Sequence, residues 1–148
     1  MNWKEDTIKC NDVVVKTAEG NCSSYNIIYL VSCSLCNECY VGRSTRPLKC
    51  RISEHRQHFY KIIKGENFDP NSDEFALGNH LFSHGYHDRS DFNKFYNVCL
   101  LAVCSPKVLD VKEHLFIHKL KTLIPRGINL SNPFVIPLLH NTPSPYRF

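Results

Sequence analysis

The sequence predicts an α/β or α+β fold, a small sheet under helices. Three runs rich in β-branched and aromatic residues, at 25–32, 39–43 and 96–103, read as strands. Two long segments, beginning at Pro47 and Val108, carry apolar residues at helical spacing. The 148 residues, 43% apolar and 22% charged, suit one globular domain and exclude a disordered chain or a fibre.

Residues 1–24 are mixed and polar. Their one apolar run, Val13-Val14-Val15, reads as a short strand or extended arm. Tyr25 to Ser32 (YNIIYLVS) is a strand; alternation puts Ile27, Tyr29 and Val31 on one face and Ile28 and Leu30 on the other. The run 33–37 turns the chain, and Cys39 to Arg43 (CYVGR) returns as the second strand of a hairpin. Pro47 opens a helix, where its missing N–H costs nothing. Leu48, Ile52, His55, Phe59, Ile62 and Ile63 recur along it until Gly65. Residues 66–75 are a polar loop, Ala76 to Ser83 a short helix, and 85–94 a polar connection. Tyr96 to Val103 is a third strand, apolar on both faces and therefore buried. Val108 to Leu123 is the second long helix, with Leu109, Phe116, Leu120 and Leu123 as its stripe. From Asn132 four prolines predict an extended tail, 132–148. No fixed-period repeat is present, which excludes a solenoid.

No stretch approaches the ~20 apolar residues of a membrane span. Residues 1–6 lack the apolar core of a secretory signal, so the expectation is an intracellular protein, not a secreted one, with no membrane partner. In that setting eight cysteines beside eight histidines favour zinc over free thiols, and free thiols over disulfides.

A few residues strain a pure packing account. His55 falls inside an apolar stripe, with Arg51 one turn before it. Glu113 shares a helix side with Leu109, Ile117 and Leu120, where a lone carboxylate is costly. Tyr29 and Tyr40 sit on the two hairpin strands. A core histidine, a snorkelling arginine, a salt-bridged glutamate and two packing tyrosines would explain all of this. Together, however, they also make a phosphodiester-cleaving set: a cation for the phosphate oxygens, a carboxylate for a divalent metal and a base for water. Between Arg43 and Lys64 stand seven basic residues (Arg43, Arg46, Lys49, Arg51, Arg56, Lys61, Lys64) and one acid, Glu54. A solvated face mixes signs, whereas this one suits phosphate.

These residues resemble the GIY-YIG nucleases. Ile27-Ile28-Tyr29 stands for the first tripeptide of that family and Tyr40-Val41-Gly42 for the second. Arg51-x-x-x-His55 follows on the first helix, Glu113 on a later one, and Asn129 after Pro125 and Gly127. Ile27 departs from the family's glycine, but the tyrosine is kept. The resemblance spans about 25–130. Cys33-x-x-Cys36 between the tripeptides and His80-x-x-x-His84 beyond them, with YVGRSTRPLKCRISEH over 40–55, look like the endonuclease domain of Penelope-like retroelements.

The resemblance implies a three-stranded antiparallel sheet flanked by helices, and a DNA endonuclease domain over 25–131 between the arm and the tail. It implies catalytic Tyr29, Tyr40, Arg51, His55, Glu113 and Asn129, with Glu113 holding Mg²⁺ or Mn²⁺. Tyr29 is favoured as base with His55 as its partner, an order that can be exchanged; Tyr40 orients water or phosphate, and Asn129 braces the site. Arg43, Arg46, Lys49, Arg56 and Lys61 would contact DNA. Cys33, Cys36, His80 and His84 would hold one structural Zn²⁺ in a closed tetrahedral shell. His87 competes with His84 for that role, and Cys39 extends the cysteine row; Cys10 and Cys22 belong to a further site without nameable partners, and Cys50, Cys99 and Cys104 read as buried thiols. The location would be nuclear or otherwise intracellular. Related full-length elements carry a reverse transcriptase, for which 148 residues leave no room, so an excised domain, a remnant or a free-standing relative is expected. Two other readings stand beside this one. The first is a zinc-stabilised DNA-binding module without catalysis. The second is a hydrolase built on Glu113-His114-x-x-x-His118, whose order is neither that of the zincins nor its inverse.

Overall fold

The computed structural model describes residues 2–3, 7–11 and 13–130. Along the chain run β1 (Asn2–Trp3), β2 (Thr7–Cys10), β3 (Val13–Lys16), β4 (Ile27–Cys33), β5 (Cys39–Ser44) and α1 (Leu48–Ile63). There follow a 3-10 turn (Asp73–Phe75), α2 (Ala76–Ser83), α3 (Asp91–Phe95), β6 (Tyr96–Val103), a second 3-10 turn (Pro106–Val108) and α4 (Leu109–Leu120). The expected tail 132–148 lies outside the described residues.

The sheet has the order β1-β6-β4-β5. The expected antiparallel trio is there, with β4 between β6 and β5 and buried along its whole length. The fourth strand is new: β1 adds two residues, parallel to Asn97 and Val98. Two residues are too few for any alternation to announce them.

Alternation along β4 divides the interior. On one side Ile27, Tyr29 and Val31 pack with Tyr40, the α1 stripe Leu48, Ile52 and Phe59, and Leu77 and Leu81 of α2. On the other, Ile28, Leu30, Val41, Cys99 and Leu101 pack against Leu109, Ile117 and Leu120 of α4 and against Ile8, Cys10 and Val15. These last three are the inner face of an antiparallel β2–β3 hairpin, where the sequence suggested a single strand or an arm. The connection 85–94 also differs, because its end folds as α3 and buries Phe92 against Phe59 and Tyr96. The last helix stops at Leu120, earlier than its stripe suggested, because Lys121 adopts a left-handed conformation (φ 55°) that ends the helix.

Gly42 faces Tyr29 directly across the β4–β5 ladder. The tyrosine ring lies over the glycine, and a methyl group at 42 would overlap its hydroxyl end. The glycine of the second tripeptide is therefore the seat of the tyrosine of the first. Gly42→Ala should force the Tyr29 ring aside and lower stability by about 1–3 kcal/mol. A thermal melt indistinguishable from wild type would contradict this packing.

Candidate active site

β5 is one edge of the sheet, and three other elements meet it there: α1, the turn Asp73–Phe75 and α4. Between them lies a cleft of about 460 Å³ whose walls include Tyr40, Arg43, Arg51, Asp73 and Glu113. Each wall follows from local structure. Tyr40 lies on the α1 side of β5, Arg43 on the α4 side, and Arg51 occupies the second turn of α1. Glu113 stands one turn of α4 beyond Leu109, whose buried side chain anchors that helix to the sheet.

Tyr29 is fully buried behind this cleft, and its hydroxyl lies 2.7 Å from Nε2 of the equally buried His55. The Arg51 guanidinium lies near enough to act on the same hydroxyl electrostatically. Burial pushes the Tyr29 pKa well above that of an ordinary tyrosine, and the Arg51 charge partly opposes it. Burial, with Arg51 and His58 nearby, holds His55 well below the usual histidine range, so it is a neutral imidazole at pH 7. The His55 ring also meets the Tyr40 ring edge-on, with centroids 5.4 Å apart.

Glu113 is 14% exposed, and Nε of Arg43 stands 3.4 Å from its Oε1. Burial raises its pKa to about 7 against the pull of Arg43 and Arg51, with Asp73 adding to the rise. Here is a carboxylate whose charged form burial disfavours, in a cleft open to solvent.

Asn129 does not line the cleft. It is fully buried, and its amide clamps one strand residue: Oδ1 accepts from Val41 N (2.8 Å) and Nδ2 donates to Val41 O (2.9 Å). Thr122 Oγ1 also donates to Oδ1, at 2.7 Å. Gly127 makes the loop possible, since a methyl there would overlap the Thr122 backbone.

Of the basic residues read as DNA contacts, Arg43 and Arg46 line the cleft. Arg43 is paired with Asp110 and Glu113, and Arg46 with Glu54. Arg56 bonds Asn93 and Ser53, and Lys49 and Lys61 are exposed away from the cleft walls. Asp73 is the residue that the sequence reading missed. It is one of four acids in the loop 66–75, and nothing in that stretch sets it apart.

A second centre forms where the β4–β5 turn meets α2. The ligand atoms of Cys33, Cys36, His80 and His84 all lie within 4.8 Å of one another, an arrangement that can hold a metal ion. Among the described residues no other such group of three or more occurs. Cys36 Sγ is 3.3 Å and His84 Nε2 3.2 Å from Nε2 of His80. On the far side of that ring Nδ1 stands 3.6 Å from the Glu38 carboxylate, the usual outer partner of a metal-bound histidine and another residue the sequence reading did not name. Burial pushes Cys36 up to about 12; burial and His84 push His80 down to about 4. His87 stacks on Phe82 instead, and Cys39 faces the opposite side of the sheet. Cys10 is buried and Cys22 exposed, and Cys50 and Cys104 are only half-buried. All eight cysteines are thiols.

Comparison with protein-family models, curated proteins and solved structures finds no match for this chain.

Replacing Asn129 by alanine would leave the buried Val41 N–H and C=O without partners, at about 1–3 kcal/mol each. Asn129→Ala should therefore lower the melting temperature clearly, and any loss of activity should follow the loss of stability. Unchanged stability with lost activity would assign Asn129 a direct role instead.

Proposed function

We propose that this protein is a divalent-metal-dependent DNA endonuclease of GIY-YIG type, stabilised by a structural zinc, resembling the nuclease domains of Penelope-like retroelements and acting in the nucleus or elsewhere inside the cell. The observation that carries this reading is the convergence, on one cleft, of Tyr40, Arg51 and Glu113 with the Tyr29–His55 pair behind them.

The donor set fits a hard cation. Mg²⁺ and Mn²⁺ favour one or two carboxylates completed by water and phosphate oxygens, and Glu113 is a half-buried carboxylate whose charged form burial disfavours, so that a bound cation would offset the lost hydration. When bound by Glu113, such an ion would withdraw charge from the scissile phosphate and acidify water. The remaining work belongs to the chain. Arg51 neutralises the charge that grows on the phosphate oxygens. Its charge also lies beside Tyr29, which the resemblance favours as base with neutral His55 as its hydrogen-bond partner. Tyr40, on the cleft wall, orients the attacking water. Asn129 keeps the strand carrying Tyr40 in place. At the second centre, two thiolates and two imidazoles complete a tetrahedron without an open position, which suits a structural rather than a catalytic zinc.

The purified protein should nick plasmid DNA with Mg²⁺ or Mn²⁺. Glu113→Ala and Arg51→Ala should each lose about 10²–10³ in rate. Binding without nicking would leave the zinc-stabilised DNA-binding module in place of the enzyme, and full activity in either folded variant would remove that residue from the site.

The pH dependence has a definite sign. Without metal, Glu113 is protonated below about 7. Protons compete with the cation there, so activity at limiting Mg²⁺ should fall about tenfold per pH unit below 7 and level off above it. The same raised pKa means that the stability Glu113 contributes is complete below its unfolded value of about 4.5 and lost as pH rises through about 7. Mg²⁺ should therefore raise the melting temperature most above pH 7, and not in Glu113→Gln. An equal gain in that variant would place the ion elsewhere.

Protein purified without added metal should contain about one zinc per chain, and a chelator should lower its melting temperature. Undiminished zinc in Cys33→Ser/Cys36→Ser would exclude this centre.

A further inference from the structure

Asp73 has no part in the mechanism above, yet it stands in the cleft wall and is tied to two of its supports. Its Oδ1 accepts the backbone N–H of Leu130 at 2.9 Å, and its Oδ2 accepts the Tyr40 hydroxyl at 3.3 Å. Leu130 adjoins Asn129, and Tyr40 adjoins Val41, which Asn129 clamps. The two side chains thus cross-brace consecutive residues of the closing loop to consecutive residues of β5.

The polarity of this arrangement matters. A carboxylate only accepts, and a tyrosine hydroxyl has one proton and two lone pairs. Burial raises the Asp73 pKa, while the Leu130 and Tyr40 donors and the Arg51 charge act the other way and favour the ionised form. With its proton committed to Asp73, the Tyr40 oxygen can only accept from whatever occupies the cleft. An attacking water must point a hydrogen at a proton acceptor and a lone pair at phosphorus, and an acceptor-only oxygen selects that orientation.

We propose that Asp73 is a positioning residue. By accepting the Tyr40 hydroxyl proton, it presents the Tyr40 oxygen to the cleft as an acceptor for the attacking water. The catalytic consequence rests on the nuclease reading; the hydrogen-bond polarity does not.

Asp73→Asn separates this role from a structural one. The amide oxygen can keep the Leu130 N–H, so its NH₂ must face Tyr40 and donate to it. That reverses the bond and turns the Tyr40 O–H toward the cleft. Expected are an unchanged melting temperature, KM for plasmid within about twofold of wild type, and kcat reduced about 10- to 100-fold, up to the lower bound of what a positioned proton-transfer group contributes. In a Tyr40→Phe background the same substitution should change kcat by less than about twofold. Wild-type kcat in Asp73→Asn, or an equal loss in both backgrounds, overturns the proposal.

A second readout needs no activity. The tyrosine Fermi doublet in Raman spectra distinguishes donating from accepting hydroxyls. The difference between each protein and its Tyr40→Phe counterpart should show a donor in the Asp73 protein and an acceptor in Asp73→Asn. An identical doublet in the two overturns the proposal even where cleavage is intact. Failure of wild type to nick DNA while the doublet inverts overturns the nuclease reading and leaves the hydrogen bond assigned.

Discussion

The site depends on one buried amide. Asn129 takes both backbone groups of Val41 and the hydroxyl of Thr122, and so fastens the loop that follows α4 to the β5 edge of the sheet. An edge strand has unpaired backbone groups that need partners. Here those at Val41 are satisfied by a side chain rather than by another strand, which leaves the edge closed yet not extended. Because the loop is held there, Leu130 can reach Asp73, and Asp73 can reach Tyr40. Removing the amide would leave the Ile128 N–H to Cys39 C=O bond as the remaining backbone link between this loop and β5.

The cleft draws on both faces of the sheet, and this explains its charge. Tyr29, Tyr40, Arg51 and His55 come from the α1 side, while Arg43 and Glu113 belong to the α4 side and meet them around β5. Each of the three cleft arginines already has an acidic neighbour: Arg43 has Asp110 and Glu113, while Arg46 and Arg51 share Glu54. The Arg43–Asp110 and Arg46–Glu54 pairs are half-exposed, so each contributes little to stability. A phosphate entering the cleft would compete with carboxylates that hold the guanidinium groups weakly, and the pairs serve to keep the long side chains at the cleft until then.

Much of this was legible in the sequence, and the reason is periodicity. The alternation over 27–31 assigned each side chain to the correct face, and the 48–62 stripe placed His55 inward. Ala76–Ser83 and Tyr96–Val103 form with the bounds read from the chain. The four residues of the metal cluster were chosen by spacing and resemblance, and the turn and helix bring them together. The misses share another cause. β1 is too short to carry a period, and the β2–β3 hairpin hides its pattern because only Ile8, Cys10 and Val15 face inward. Asp73 and Glu38 act through long-range geometry, which no local window contains. The basic run from 43 to 64 divides in the structure, since a helix distributes consecutive charges around its axis: Arg43, Arg46 and Arg51 line the cleft, and Lys49, Arg56 and Lys61 do not.

The ionisable groups of the two centres share a logic. The half-buried Cys36 thiol raised to about 12, the half-buried His80 imidazole lowered to about 4 and the Glu113 carboxyl raised to about 7 are each shifted toward neutrality by burial; the imidazole ligates in that neutral form, whereas the thiol and the carboxyl ligate in the charged form that burial disfavours. At the cysteine–histidine cluster, neutral imidazoles are ready to ligate, whereas the thiols must lose protons, which a cation promotes. Around Glu113 the pairing arginine does not restore the ordinary pKa, so the carboxylate retains affinity for a further positive charge. The centres differ in what surrounds that need. Four N and S atoms enclose one site and leave no place for a substrate. A single carboxylate beside an open cleft leaves most of a cation's shell to solvent and phosphate, and that difference divides a fastening from a reaction centre.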